Sequence, residues 1–277
     1  MDNPFILLLI GFIVGTVGTL IGAGGGFILV PLLLFTNKEL SPEIVTAISM
    51  AIVAANAVSG SVAYAFKKRI DYKAGILFAA FAIPGSILGV ISTKYIPRFE
   101  FKIFFGVLLV AIAVLLFLKK QQLQNKNDND FKELPHWKHR TITDSSGHTY
   151  AYAYSRVRGI IISIIVGYLS PLLGIGGGII HVPALAQLLF FPVHVATATS
   201  HFISAVMSIT SVIVHAINGN YNEPLVLKMI LYLSAGAIFG SQLGAYLSNK
   251  IHGNIIIRVL AVCLGTVGLR ILIGAFV

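Results

Sequence analysis

The sequence predicts an all-α polytopic membrane protein built from two repeats of four hydrophobic segments, each repeat beginning with a Gly-broken helix, joined by a cytoplasmic linker that carries a β-hairpin. Three observations predict it. Of 277 residues, 56% are apolar and 11% charged, and the mean hydropathy is +0.88, against roughly 45–50% apolar and about 25% charged in soluble domains. Eight apolar segments, near 5–35, 41–66, 73–92, 101–118, 157–191, 195–217, 225–247 and 254–275, mostly exceed the ~20 residues that cross a hydrocarbon core. Finally, GAGGGFILVP at 22–31 returns as GIGGGIIHVP at 174–183 with seven of ten positions identical. The expected division is a first membrane repeat at 1–120, a linker at 121–155 and a second repeat at 156–277.

The first segment is read as structure and not as a cleaved signal. Met1-Asp2-Asn3-Pro4 has no basic residue, and the segment's equivalent recurs at 157–191. Gly15 and Gly167 share the same spacing of 152, and after a one-residue gap Thr46-Ala47-Ile48-Ser49 falls on Thr197-Ala198-Thr199-Ser200. Segments 1 and 5 are longer than one straight span requires, so each is either a bent crossing or a re-entrant pair of half-helices. Unwound backbone at membrane depth survives only inside protein or against a water-filled cavity. Both arrangements therefore place the glycines in the interior.

Basic residues set orientation without choosing between these two arrangements. Twelve of the twenty Lys and Arg lie at 67–73 or 119–158, which makes that face cytoplasmic by the positive-inside rule. Parallel repeats add Lys228 and Arg270 to that face, and inverted repeats add Lys250 and Arg258, so both give fourteen against six. The linker turns polar from Lys119, and Asp144-Ser145-Ser146-Gly147 separates two alternating runs rich in Thr, Tyr and Ile, a hairpin signature. Trp137 and the tyrosines are expected to pack it as a cap. The net charge of +10 comes from short loops and the linker, without the patterning of a nucleic-acid binder.

The chemistry of the spans favours an anion. All ten Asp and Glu fall in loops, the linker or segment ends, whereas intramembrane carboxylates are the usual means of proton relay and cation binding. A single Cys263 and the absence of HExxH, CxxC or GxSxG offer no metal set, cofactor motif or nucleophile, so no enzyme is expected. Gly24, Gly25, Gly26 and Gly176, Gly177, Gly178 open apolar helices, where unpaired N–H groups and the macrodipole favour negative charge. Two Gly-broken helices at equivalent places in two halves are a pointer to a transporter's binding site. Thr46 with Ser49, and Thr197 with Ser200, each lie three apart on one helical face. Thr199 and the lone amide Gln242 join the candidate set, and His181 and His201, which have no partners in the first half, are candidates for coupling to protons.

The paired GxGGG-x4-P segments, Pro192-Val193-His194-Val195-Ala196-Thr197-Ala198-Thr199-Ser200-His201-Phe202 and Gly240-Ser241-Gln242-Leu243-Gly244 together resemble the TauE/SafE sulfite exporter family, the TSUP permeases. The resemblance spans both membrane halves. It implies a secondary transporter of sulfur-containing or organic anions, such as sulfite or sulfonates, in the plasma membrane of a bacterium or archaeon. The expected partners are the small anion, a co-transported proton or Na⁺, and the bilayer. The halves differ at Ile48 and Met50, where the second has Thr199 and His201, so the anion is expected nearer the second repeat, with one half rocking against the other. An anion channel with the same glycine site, and a non-transporting sensor or scaffold using the linker, are the rival readings.

Overall fold

Each half begins with a helix that stops on a glycine. In the computed structural model, which describes residues 3–118, 137–248 and 250–276, α1 (Pro4–Ile21) is followed across a short loop by α2 (Gly26–Thr36). Then come α3 (Pro42–Phe66), α4 (Tyr72–Thr93), α5 (Arg98–Leu118), β1 (Trp137–Thr143) and β2 (Thr149–Ser155). The second half repeats the order with α6 (Arg156–Leu173), α7 (Gly178–Pro183) extended by a π-helical turn at Ala184–Leu188, α8 (Val193–Ile217), α9 (Pro224–Ser248) and α10 (Gly253–Phe276). Eight of these helices are long and apolar enough to cross a membrane. The expected polar run at 119–136 lies outside the described residues.

Local chemistry sets the helix starts. Asn3, Ser41, Asp71 and Ser155 each accept a backbone N–H of the first turn of α1, α3, α4 and α6, a bond that satisfies a donor with no intrahelical partner. Pro4 and Pro42 occupy the first turn, where a missing N–H costs nothing. Bulky outward side chains such as Phe66, Leu118, Ile217 and Phe239 are exposed, as a lipid-facing surface requires.

Small residues let specific helices meet. Cβ atoms built on Gly236, Gly240 and Gly244 of α9 would run into the backbone of Leu8, Phe12 and Thr16 of α1, in that order. The two helices are therefore parallel and in backbone contact. In the second pair, Gly85 of α4 meets Ile164 and Tyr168 of α6, and Gly89 meets Tyr168 and Leu172. The larger remaining interfaces are α5 with α10, α3 with α8, α3 with α9 and α4 with α8. Since α1 packs on α9 and α6 on α4, each half lends its first helix to the other, and neither is a separate body.

These directions decide between the two arrangements that charge left open. Asp71, at the start of α4, accepts the Tyr152 hydroxyl of the hairpin at 2.7 Å, so α4 and its parallel partner α6 both run away from the hairpin face. After Gly174 the chain returns: Phe190 packs on Trp137, and Phe191 on Tyr152 and Tyr154, with tilted rings whose centroids are 5.6, 4.5 and 5.1 Å apart. Segment 157–191 thus enters and leaves on the hairpin face. Conversely, Lys67 beside the hairpin donates to Ala245 near the end of α9, so α9 ends there, its parallel partner α1 runs toward that face, and α1 starts on the far face. On that far face the end of α2 lies beside the start of α5, where Arg98 donates to the carbonyls of Leu34, Lys38 and Leu40. The repeats are inverted. Residues 3 and 276 lie opposite the hairpin, and Lys250 and Arg258 fall on the hairpin side with the described basic residues of 67–73 and 138–158.

The expected hairpin is present, paired antiparallel from Trp137↔Ser155 to Thr143↔Thr149. Asp144 closes its turn by accepting from Ser146 and His148 N–H groups and pairs with Arg69 of the α3–α4 loop at 2.9 Å. Burial raises the cost of the Asp144 charge, but the Arg69 bond and the two backbone N–H bonds outweigh it and hold its carboxyl below the usual range. Tyr152 is pushed the other way, first by burial and then by the Asp71 carboxylate, so it stays a donor.

Candidate functional site

The two glycine loops cross at the centre of the bundle. Gly22 and Gly174 end α1 and α6 at φ 81° and 68°, and their N–H groups fold back onto the last turn of their own helices. Gly24, Gly25 and Gly176 continue at φ 77°, 88° and 66°, a left-handed conformation that glycine adopts without a Cβ penalty. The chain then re-enters a helix at Gly26 and at Gly178. A Cβ on Gly24 would lie 3.6 Å from the Gly176 carbonyl, one on Gly26 would overlap the Gly174 carbonyl, and one on Gly178 would overlap that of Gly22. Residues 21–27 and 171–179 are all buried. The crossing is closed to both faces, and the glycines hold backbone against backbone.

The starts of α2 and α7 therefore face each other across the pseudo-two-fold axis, each with the positive end of its dipole at the crossing. The Thr/Ser pairs follow the same symmetry. Thr46 packs on Gly174 and Thr197 on Gly22, while Ser49 donates to the Gly174 carbonyl at 2.6 Å and Ser200 to that of Gly22 at 3.5 Å. Thr46 bonds back to Glu43 in its own helix, but Thr197 Oγ1 is buried without a partner.

Other side chains break the symmetry. Asn56 of α3 donates to the Gly24 carbonyl at 3.0 Å and accepts from Thr19 Oγ1 at 2.9 Å. His201 Nε2 lies 3.3 Å from Thr19 Oγ1 and 3.4 Å from the Asn56 carbonyl. Tyr64 donates to the Thr19 carbonyl at 2.8 Å and meets the His201 ring edge-on. All of these residues are fully buried. At the positions equivalent to Thr19, Asn56 and His201 stand Pro171, Met207 and Met50, so the second loop has no such network. Its Gly177 N–H is taken by Ser170 Oγ, and a Cβ there would face Met207 Sδ at 3.1 Å and His181 Nδ1 at 3.2 Å. His181 Nε2 reaches Ser163 Oγ at 3.4 Å, while its Nδ1, His201 Nδ1 and Ser204 Oγ are buried without partners.

Gly24, Gly25, Gly26, Gly176, Gly177, Gly178, Thr46, Ser49, Thr197, Ser200, His181 and His201 thus surround one crossing. Thr199 and Gln242 do not join it. Thr199 Oγ1 accepts from the Asp71 N–H near the hairpin face. Gln242 is exposed on α9 and donates to Ser59, and the glycines around it serve the α1–α9 contact. Sequence reasoning gave no role to Thr19, Asn56 or Tyr64. Asn56 is legible only as one of few polar residues inside a span, and Thr19, with no counterpart in the repeat, gives no signal.

A family model described as "Sulfite exporter TauE/SafE" matches residues 7–271. The chain is 34% identical to the probable membrane transporter protein YunE of Bacillus subtilis, over 96% of each chain. It is 28% identical to a probable membrane transporter protein of Methanocaldococcus jannaschii, over 97% of this chain and 95% of that one. A probable membrane transporter protein of Xylella fastidiosa is 25% identical over 91% of this chain and 89% of its own. No solved structure matches the chain significantly.

Proposed function

This chain belongs to the sulfite exporter TauE/SafE family, and from that premise we propose that it is a secondary transporter of small anions, sulfite and sulfonates among them, in a bacterial or archaeal plasma membrane. One observation carries the reading: two half-helix starts meet at the centre of an inverted repeat, sealed from both faces. An anion entering between them meets backbone N–H groups and two positive helix ends in low dielectric. Thr197 Oγ1 and Ser204 Oγ, buried and unpaired, supply further donors, and His181 and His201 supply protonatable groups for coupling. A closed crossing supports a carrier over an open channel.

The interlocked packing supports one division into moving bodies. Separating the sequence halves would pull α1 from α9 and α4 from α6, the two glycine-lined backbone contacts. Alternating access instead moves α1, α3 and α9 against α4, α6 and α8, opening the α3–α8 seam where the loops cross. Sulfite binding to purified protein, followed by calorimetry, tests the site: Gly177→Ala should weaken it on the order of tenfold or more, because a methyl group enters beside His181 Nδ1. Unchanged affinity would remove the second half-helix start from the site.

A further inference from the structure

We infer that the second half-helix is the moving member of the pair, and that the cytoplasmic hairpin positions it through Tyr152, Tyr154 and Trp137. This inference rests on the alternating-access reading above. The first loop is fixed at both ends. Asn56, Thr19, His201 and Tyr64 bind it at the crossing, and Arg98 ties the end of α2 through four carbonyls, those of Leu34, Asn37, Lys38 and Leu40. Among the described residues the second loop lacks that network and that arginine, and its own bonds are Ser49 to the Gly174 carbonyl and the Gly177 N–H to Ser170. Met207 replaces Asn56, and a thioether adapts to a displaced neighbour instead of holding it. Beyond Gly178 the α-helix lasts only to Pro183 before passing into a π-helical turn at Ala184–Leu188, an irregularity found often at functional sites.

This segment ends in Phe190, a non-glycine residue at φ 58°, and in Phe191. Trp137 packs on Phe190, and Tyr152 and Tyr154 pack on Phe191. The hairpin is in turn anchored to the α3–α4 loop by Arg69–Asp144 and by the Tyr152 hydroxyl on Asp71. It therefore bridges the α3–α4 loop to the end of the second half-helix segment. Among the described residues the first half has no equivalent strap, and the end of α2 is held by Arg98.

Hydrogen exchange on the full chain in nanodiscs, read over 26–36 and 178–191, tests the inference without any substrate. In the wild type 178–191 should exchange faster than 26–36. Tyr152→Ala should speed exchange at 178–191 by on the order of tenfold, the scale of one lost aromatic pair, and leave 26–36 unchanged. Tyr152→Phe keeps the ring and should restore protection. In proteoliposomes the alanine variant should change the maximal flux and leave the half-saturating concentration in place. Equal protection of the two segments in the wild type would overturn the inference, as would an alanine effect spread equally over both. If exchange behaves as expected but no anion moves, the transport reading fails and the strap stands.

Discussion

Gly177 and Gly178 are neighbours with opposite tolerance for a methyl group. At Gly178 an added Cβ would overlap the Gly22 carbonyl, whereas at Gly177 it would meet only Met207 and the His181 ring at 3.1–3.2 Å. Gly178→Ala should destabilise the fold by about 1–3 kcal/mol or more, since backbone cannot step aside as a thioether does. Gly177→Ala should cost less, because Met207 can shift where the Gly22 backbone cannot, so thermal unfolding in detergent should separate the two. Asn56→Leu leaves the Gly24 carbonyl buried without its donor and should cost about 1–3 kcal/mol in the same assay. The repeat and its glycines are legible in the sequence because an αL position and a backbone contact both exclude side chains. Asn56 and Thr19 are not, because their role depends on a carbonyl that only the folded loop brings within reach.

Among the elements, the hairpin is held by charge as well as by aromatic packing. The depressed Asp144 carboxyl stabilises the fold above its ordinary value of 3.8, and this contribution is lost as the pH falls through the lower folded value. Asp144→Asn should therefore lower stability at pH 7 and flatten its decline below about pH 4, measured by unfolding across that range. Because Arg69 and Asp144 are 8% and 1% exposed, removing Asp144 should cost more than the ~0–1 kcal/mol of an exposed pair. The hairpin's strands and turn are legible from alternation and from Asp144-Ser-Ser-Gly147. Its grip on Phe190 and Phe191 is not, because nothing local in the sequence marks which loop the tyrosines meet.

For the molecule as a whole, the inverted arrangement has a simple consequence for labelling. With Cys263 replaced by Ser, a cysteine at Ser146 should react with a membrane-impermeant maleimide only after cells are opened, and one at Asn3 should react in intact cells. Both sites reacting from the same side would contradict the assigned topology. The sequence supplies the eight segments and the basic face but not this inversion, because exchanging Lys228 and Arg270 for Lys250 and Arg258 leaves the charge count equal. Only the direction of α1 along α9 and of α6 along α4 decides it. The same interlocking, α1 on α9 and α6 on α4, underlies the proposal that two mixed bodies, and not the two sequence halves, move against each other.

The measurement that tests the central claim most directly is counterflow in proteoliposomes, with labelled sulfite outside and unlabelled sulfite, sulfonate, sulfate or carboxylate inside. A carrier with one central site predicts saturable uptake, accelerated by the internal anion that shares the site. Flux that rises linearly with concentration and ignores the internal anion, or no movement of any of these anions by folded protein, would contradict it.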